Sequence, residues 1–301
     1  MLYFQQKGVF MNNKNVSNSI VLIGPSGVGK SLISSRLSKK TNIPYVDIDD
    51  LLFFIEVDLR NELTPDKSQQ ESFIQKQIAE LSKLERETPL TESELKREKI
   101  LVQEFVDLYN YYHQMFGGFK QFYNIFYEYY RSTQNPTTGF ADIYKLNRAT
   151  FKLINKIFES SNHNFIISPP GCFGWNVKTP LHIKTYMLQN KIGEFLDNTN
   201  TILLQPGQDY TLRTPTDKLS VNYRYFLKHL ENYYDHSDFE ISTNELFYEP
   251  ESDFLKQRTW LNVRETLTKE KLMNSGEIDN ICDQIIEFYQ FHKQDNAEII
   301  K

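Results

Sequence analysis

The chain has 301 residues, 40% of them hydrophobic and 14% aromatic, and a formal net charge of −5. That is enough apolar material for one large domain or a core carrying an insertion, and the lack of a basic excess disfavours nucleic acid as a partner. No apolar run approaches the roughly 20 residues that span a bilayer, and the two cysteines, Cys172 and Cys282, form neither a disulfide scaffold nor a metal-ligand spacing.

Residues 1–16 read as a flexible arm: "MLYFQ" looks like the tail of a cleavage tag, and Met11 offers a natural start. A reducing, cytoplasmic setting is the expectation, with export that leaves no cleavable signal still open. "SIVLIG" (19–24) is a short apolar run ending in glycine, the expected buried first strand. "GPSGVGKS" (24–31) follows and matches the G-x-x-x-x-G-K-[ST] phosphate-binding loop. "KSLISSRLSKK" carries the i, i+4 apolar pair Ile33 and Leu37, so the loop sits between strand and helix, the context the pattern needs.

"IPYVDID" (43–49) is expected to be a second strand, lying beside the first and ending in two carboxylates. Nearly a hundred positions, 50–147, then separate it from the helix at 148–159 that leads to the third strand, "HNFIISPPG" (163–171). Within that interval Leu101, Phe105, Leu108, Tyr112 and Met115 recur at three and four, as do Phe119, Phe122, Phe126 and Tyr130. Gly117 and Gly118 mark the bend between them, so a helical hairpin is predicted. It serves as core packing, as a lid or wall around a substrate, or as a partner surface. A helix over 183–197, a fourth strand "NTILLQPG" (200–207), a weaker fifth "DFEIST" (238–243) and a final helix with Ile278, Ile281, Ile285 and Phe288 on one side complete the pattern. Strands alternating with helices predict a parallel sheet covered on both faces.

The loop defines the first candidate site. Gly24, Ser26, Gly27, Val28, Gly29, Lys30, Ser31 and Leu32 would cradle phosphate oxygens through backbone N–H groups and the following helix N-terminus. Lys30 would reach the β- and γ-phosphates, and Ser31 would offer its hydroxyl to Mg²⁺. Asp47 and Asp49, sharing one strand face by period-two alternation, would hold Mg²⁺ and accept a substrate proton respectively. The structural alternative is a helix-capping aspartate and a solvated one.

"IVLIGPSGVGKSLISSRLSKKTNIPYVDID" resembles the opening of the shikimate kinase family and its small-molecule kinase relatives, and the likeness extends thinly to the later strands. The resemblance implies a P-loop kinase-like three-layer sandwich with a five-stranded parallel sheet in the order 2-3-1-4-5. It also implies Mg²⁺ coordination by Asp47, and acceptor binding with base catalysis by Asp49. The core would comprise 17–50 and 148–301, with 51–147 as a helical insertion in the acceptor-binding or partner region. The family's acceptor contacts map loosely here: Lys145 and Arg148 where a carboxylate clamp is expected, Gly171 as the one glycine retained in "SPPGCFG", and Trp175 just beyond. Arg213 in "YTLRTPTDK" is the candidate lid arginine, followed by Arg224. A bidentate arginine clamp is not replaced cheaply by lysine, so shikimate itself is disfavoured.

The expectation is thus an ATP-dependent phosphotransferase that moves the γ-phosphoryl group of Mg-ATP to a hydroxyl on a small molecule. Two alternatives stand beside it: an effector- or toxin-like kinase acting on a macromolecule or nucleotide-like target, and a degenerate nucleotide-binding switch. The absence of a carboxylate after "FIIS" argues against a general ATPase.

Overall fold

The computed structural model describes residues 19–25, 28–62, 92–133, 143–160, 164–171, 173, 183–205, 239–242 and 275–299. In chain order these form β1 (Ile20–Ile23), α1 (Lys30–Thr41), β2 (Tyr45–Asp47), α2 (Ile48–Glu62), α3 (Glu92–Phe116) and α4 (Tyr123–Thr133). There follow α5 (Ile143–Ser160), β3 (Ile166–Ser168), α6 (Ile183–Asp197), β4 (Asn200–Gln205), β5 (Phe239–Ser242) and α7 (Ser275–Ile299). All strand pairs are parallel, and the sheet runs β2-β3-β1-β4-β5. This is the order that the resemblance implies; the separate expectation that the second strand lies beside the first fails, because β3 stands between them.

Alternation along the strands divides the core in two. Ile20, Leu22, Ile166, Ile202 and Leu204 turn to one face, where they meet Ile33 and Leu37 of α1 and Ile278, Ile281, Cys282 and Ile285 of α7. Val21, Ile23, Val46, Ile167 and Leu203 turn to the other, which α2 to α6 cover. A strand buried on both faces reads as a continuous apolar run, and that is why these segments were legible. Polar ties fix α7 on the first face: Arg36 donates twice to Asp279, and Lys40 donates to Asp283 at 2.6 Å.

The hairpin between α3 and α4 belongs to the second cluster. Its bend is a Schellman motif: Gly118 N–H donates to His113 O at 2.8 Å and Gly117 N–H to Gln114 O at 3.3 Å. Both glycines have positive φ, 65° at Gly117 and 97° at Gly118. Phe105, Tyr109, Tyr112 and Phe116 of α3 are buried, with Phe119, Phe122 and Phe126 after the bend. The expected stripe is thus shifted: Leu108 and Met115 are only half-buried, and Tyr130 is 45% exposed. Phe54 of α2 sits among Phe53, Phe105, Tyr109 and Tyr112, with ring centroids 5.6 to 5.8 Å away, mostly tilted or edge-to-face. Such rings bury 150–250 Å² each, on the order of 3–5 kcal/mol lost on truncation to alanine. The described aromatic residues of the hairpin are chiefly core for this side of the sheet.

One carboxylate is built into that core. Asp58, 6% exposed, accepts from Tyr109 Oη at Oδ1 and from Tyr123 Oη at Oδ2, both at 2.7 Å. Burial first, and then the bond to Asp58, pushes both phenol pKa values well above the ordinary tyrosine range, so both remain donors.

Candidate functional site

Because every strand is parallel, all five carboxyl ends open on one edge, where open α/β sheets take their ligands. Three segments converge there: the loop from Gly24 into α1, the Asp47–Asp50 turn after β2, and Ser168–Gly171 after β3.

Gly24 leaves β1 with φ 147°, close beneath the β4 backbone. Gly29 then takes a left-handed conformation (φ 97°) as the residue before α1. Its N-cap residue, Gly29, has no side chain to cap it, and no acidic residue lies in its first turn. The first N–H groups of an α-helix lack intrahelical partners, so this end presents donors and a partial positive charge. Lys30, only 8% exposed, folds back so that Nζ donates to Gly24 O at 3.0 Å and Pro25 O at 2.9 Å. A buried ammonium held by carbonyl dipoles at a helix start with a glycine N-cap favours an anion. Val28 is buried, and Ser31 and Leu32 are half-exposed on the first turn of α1. Ser26 and Gly27 lie outside the described residues.

The carboxylates are arranged differently from the expectation. β2 ends at Asp47, so Asp49 lies in the first turn of α2 and not on a shared strand face. Asp47, 3% exposed, caps that helix: its Oδ1 accepts from Asp49 N–H at 2.9 Å and Asp50 N–H at 3.3 Å. The capping alternative therefore holds for Asp47. Asp49 is exposed at the sheet edge, whereas Asp50 is 1% exposed. Across the ladder Asp47 pairs with Ser168, itself buried.

A further contact was not foreseen. Asp47 N–H, on the side away from β3, donates to the hydroxyl of Tyr112 on α3 at 3.0 Å. Tyr112 is fully buried, and burial, with Tyr45, Asp50 and Asp47 nearby, pushes its pKa well above the ordinary value. Nothing local in the sequence announces a partner 65 residues away; the only signal was Tyr112 in the helical stripe.

Of the remaining candidates, Lys145 and Arg148 lie in the first two turns of α5, both exposed. Arg148 pairs with Glu128 of α4 at 3.4 Å, and Lys152 donates to both oxygens of the same carboxylate. Gly171 is buried behind Pro169 and Pro170. Trp175 and Arg213 lie outside the described residues, as do Arg224 and the "YTLRTPTDK" stretch. Among the described residues no three His, Cys, Asp or Glu side chains gather to cage a metal, and no helix is long and apolar enough to cross a membrane.

The parallel α/β topology is compatible with a nucleotide-binding enzyme fold in general. Comparison of the chain with protein-family models, with curated protein sequences and with solved structures finds no match.

Proposed function

We propose that the chain is an ATP-dependent phosphotransferase that moves the γ-phosphoryl group of Mg-ATP to a hydroxyl acceptor, with a P-loop kinase-like core of the kind shikimate kinases use. The observation that carries this reading is Lys30: a buried ammonium parked on the Gly24 and Pro25 carbonyls, at the start of α1. Phosphate oxygens are stronger partners for an ammonium than carbonyl dipoles, so Lys30 exchanges them on binding. The backbone N–H groups at the start of α1 take further phosphate oxygens.

Ser31 and Asp47 would hold Mg²⁺, and a site with one carboxylate suits this ion, which is commonly bound by one or two carboxylates together with substrate phosphates. When bound, the ion would neutralise charge on the phosphates. Asp49, exposed just past the carboxyl end of β2, accepts the acceptor's hydroxyl proton. As that proton leaves, the acceptor oxygen bonds to the γ-phosphorus and the bond from phosphorus to the β–γ bridging oxygen breaks. ADP departs with that electron pair.

The test is a panel of hydroxylated small molecules, scored by ADP release. The reading expects slow basal ATP turnover that one acceptor accelerates, with the phosphoryl group recovered on that compound. Tight ATP binding without turnover under any acceptor would point instead to a nucleotide-dependent switch.

A further inference from the structure

Asp47 is gripped from three directions. The β2–β3 ladder pairs it with Ser168. Its carboxylate oxygen Oδ1 is fixed by the Asp49 and Asp50 N–H groups. On the outer edge of the sheet its own N–H reaches Tyr112 Oη at 3.0 Å. Among the described strands β2 is the last on that side, so its outward backbone groups face no further described strand. A buried N–H there costs about 1–3 kcal/mol if left without a partner, and the phenol supplies that partner.

The phenol is itself rigidly seated. Its ring lies edge-on to Phe54 at 5.6 Å, to Phe116 at 6.2 Å and to Tyr45 of β2 at 6.4 Å. Tyr112 is fully buried. The helix carrying it belongs to the long interval between the second and third strands, and its aromatic face otherwise packs in the core, with Tyr109 Oη bound to Asp58. The hydroxyl of Tyr112 adds to that packing a direct hold on a residue of the candidate site.

We infer that Tyr112 is a positioning residue: its hydroxyl holds the Asp47 backbone, and through it the orientation of the Asp47 carboxylate toward Mg²⁺. This rests on the phosphotransferase reading for the metal, while the hold on the backbone is independent of it. The interval between the second and third strands thereby acts on the phosphoryl-donor side of the site. A partner that orients a metal-binding carboxylate without touching the ion governs metal affinity more than nucleotide affinity.

Tyr112→Phe keeps the ring and removes the hydroxyl. Tyr109→Phe, on the same helix, removes a phenol that serves Asp58 instead. Two readouts separate positioning from mere stability: hydrogen exchange of the Asp47 amide, and the Mg²⁺ concentration at half-saturation with a non-hydrolysable ATP analogue. Tyr112→Phe is expected to speed the exchange and raise the Mg²⁺ requirement, each about tenfold, while affinity for the analogue without metal stays at the wild-type value. Tyr109→Phe leaves the Mg²⁺ requirement unchanged and speeds the Asp47 exchange only as far as its own loss of global stability dictates. Wild-type values for either readout in Tyr112→Phe overturn the inference, as does an equal effect of Tyr109→Phe, which would mark a loosened core. Should Tyr112→Phe not fold, 4-fluorophenylalanine in place of Tyr112, which fills the space of the hydroxyl but is a poor hydrogen-bond acceptor, is measured by the same two readouts, and the same outcomes support or overturn the inference. A wild-type chain that binds no Mg²⁺ with the analogue overturns the phosphotransferase reading and the metal role together, whereas a binding wild type with an indifferent Tyr112→Phe overturns the positioning role alone.

Discussion

Gly24 lies so close beneath the β4 backbone that a Cβ added there would stand 2.6 Å from the carbonyl oxygen of Leu204. The φ of 147° adds a conformation that side chains rarely adopt. Gly24→Ala must therefore shift the sheet or the loop. It is expected to cost about 2–3 kcal/mol in urea denaturation and to weaken ATP-analogue binding by calorimetry. An unchanged midpoint with unchanged binding would show that this glycine is not held by Leu204.

The Asp58 carboxylate gives a second prediction. Tyr109→Phe and Tyr123→Phe each leave one buried oxygen without its donor, at about 1–3 kcal/mol. Changing both strands the charge, so the double variant is the least stable of the set. Adding Asp58→Leu to it removes the stranded group and is expected to restore part of the loss. Denaturation of the single, double and triple variants decides; a triple variant weaker than the double would contradict the assignment.

Acid should loosen the seat of α7. The hydrogen bond from Arg36, then those from Lys40, pull the Asp279 pKa down to about 2. A carboxylate whose folded pKa is depressed contributes stability that is present above about pH 4 and lost as pH falls toward 2. Wild type should therefore exceed Asp279→Asn in thermal midpoint at pH 6, with the gap closing between pH 4 and 2. These groups are partly exposed, so high salt should shrink the gap as well. A gap that widens in acid would refute the pairing.

The two site carboxylates should separate kinetically. Asp49→Asn is expected to keep Mg-ATP binding and lower phosphoryl transfer by about 10²–10⁴-fold. Asp47→Asn should raise the Mg²⁺ requirement while keeping the α2 cap, since asparagine caps about as well as aspartate, whereas Asp47→Ala should also cost about 1 kcal/mol. Steady-state kinetics with titrated Mg²⁺ and a denaturation series would show whether the roles divide this way or whether Asp50 takes one of them.

Much of this architecture was readable because buried parallel strands are short apolar runs. Every expected strand appears at its place, and the helix over 183–197 matches end to end. Alternation failed at "YVDID". The pattern continues in sequence, yet the strand stops at Asp47 because that carboxylate caps the next helix, and no glycine or proline marks the change. The aspartates that follow, favourable in a helix's first turn, were the signal available. Spacing also misplaced the α3 stripe. That helix packs against both α2 and the edge of the sheet, so Tyr109 and Phe116 are buried where Leu108 and Met115 were expected. The tie between Asp47 and Tyr112 depends on tertiary approach alone, and no local pattern encodes it.

The most direct test of the central claim is calorimetric titration of the chain with a non-hydrolysable ATP analogue, with and without Mg²⁺, beside Lys30→Ala. Saturable one-to-one binding that strengthens with Mg²⁺ is predicted for wild type, with loss of at least about 100-fold in Lys30→Ala while that variant still unfolds cooperatively. A folded wild type that binds no analogue, or a Lys30→Ala variant that binds as tightly, would contradict it.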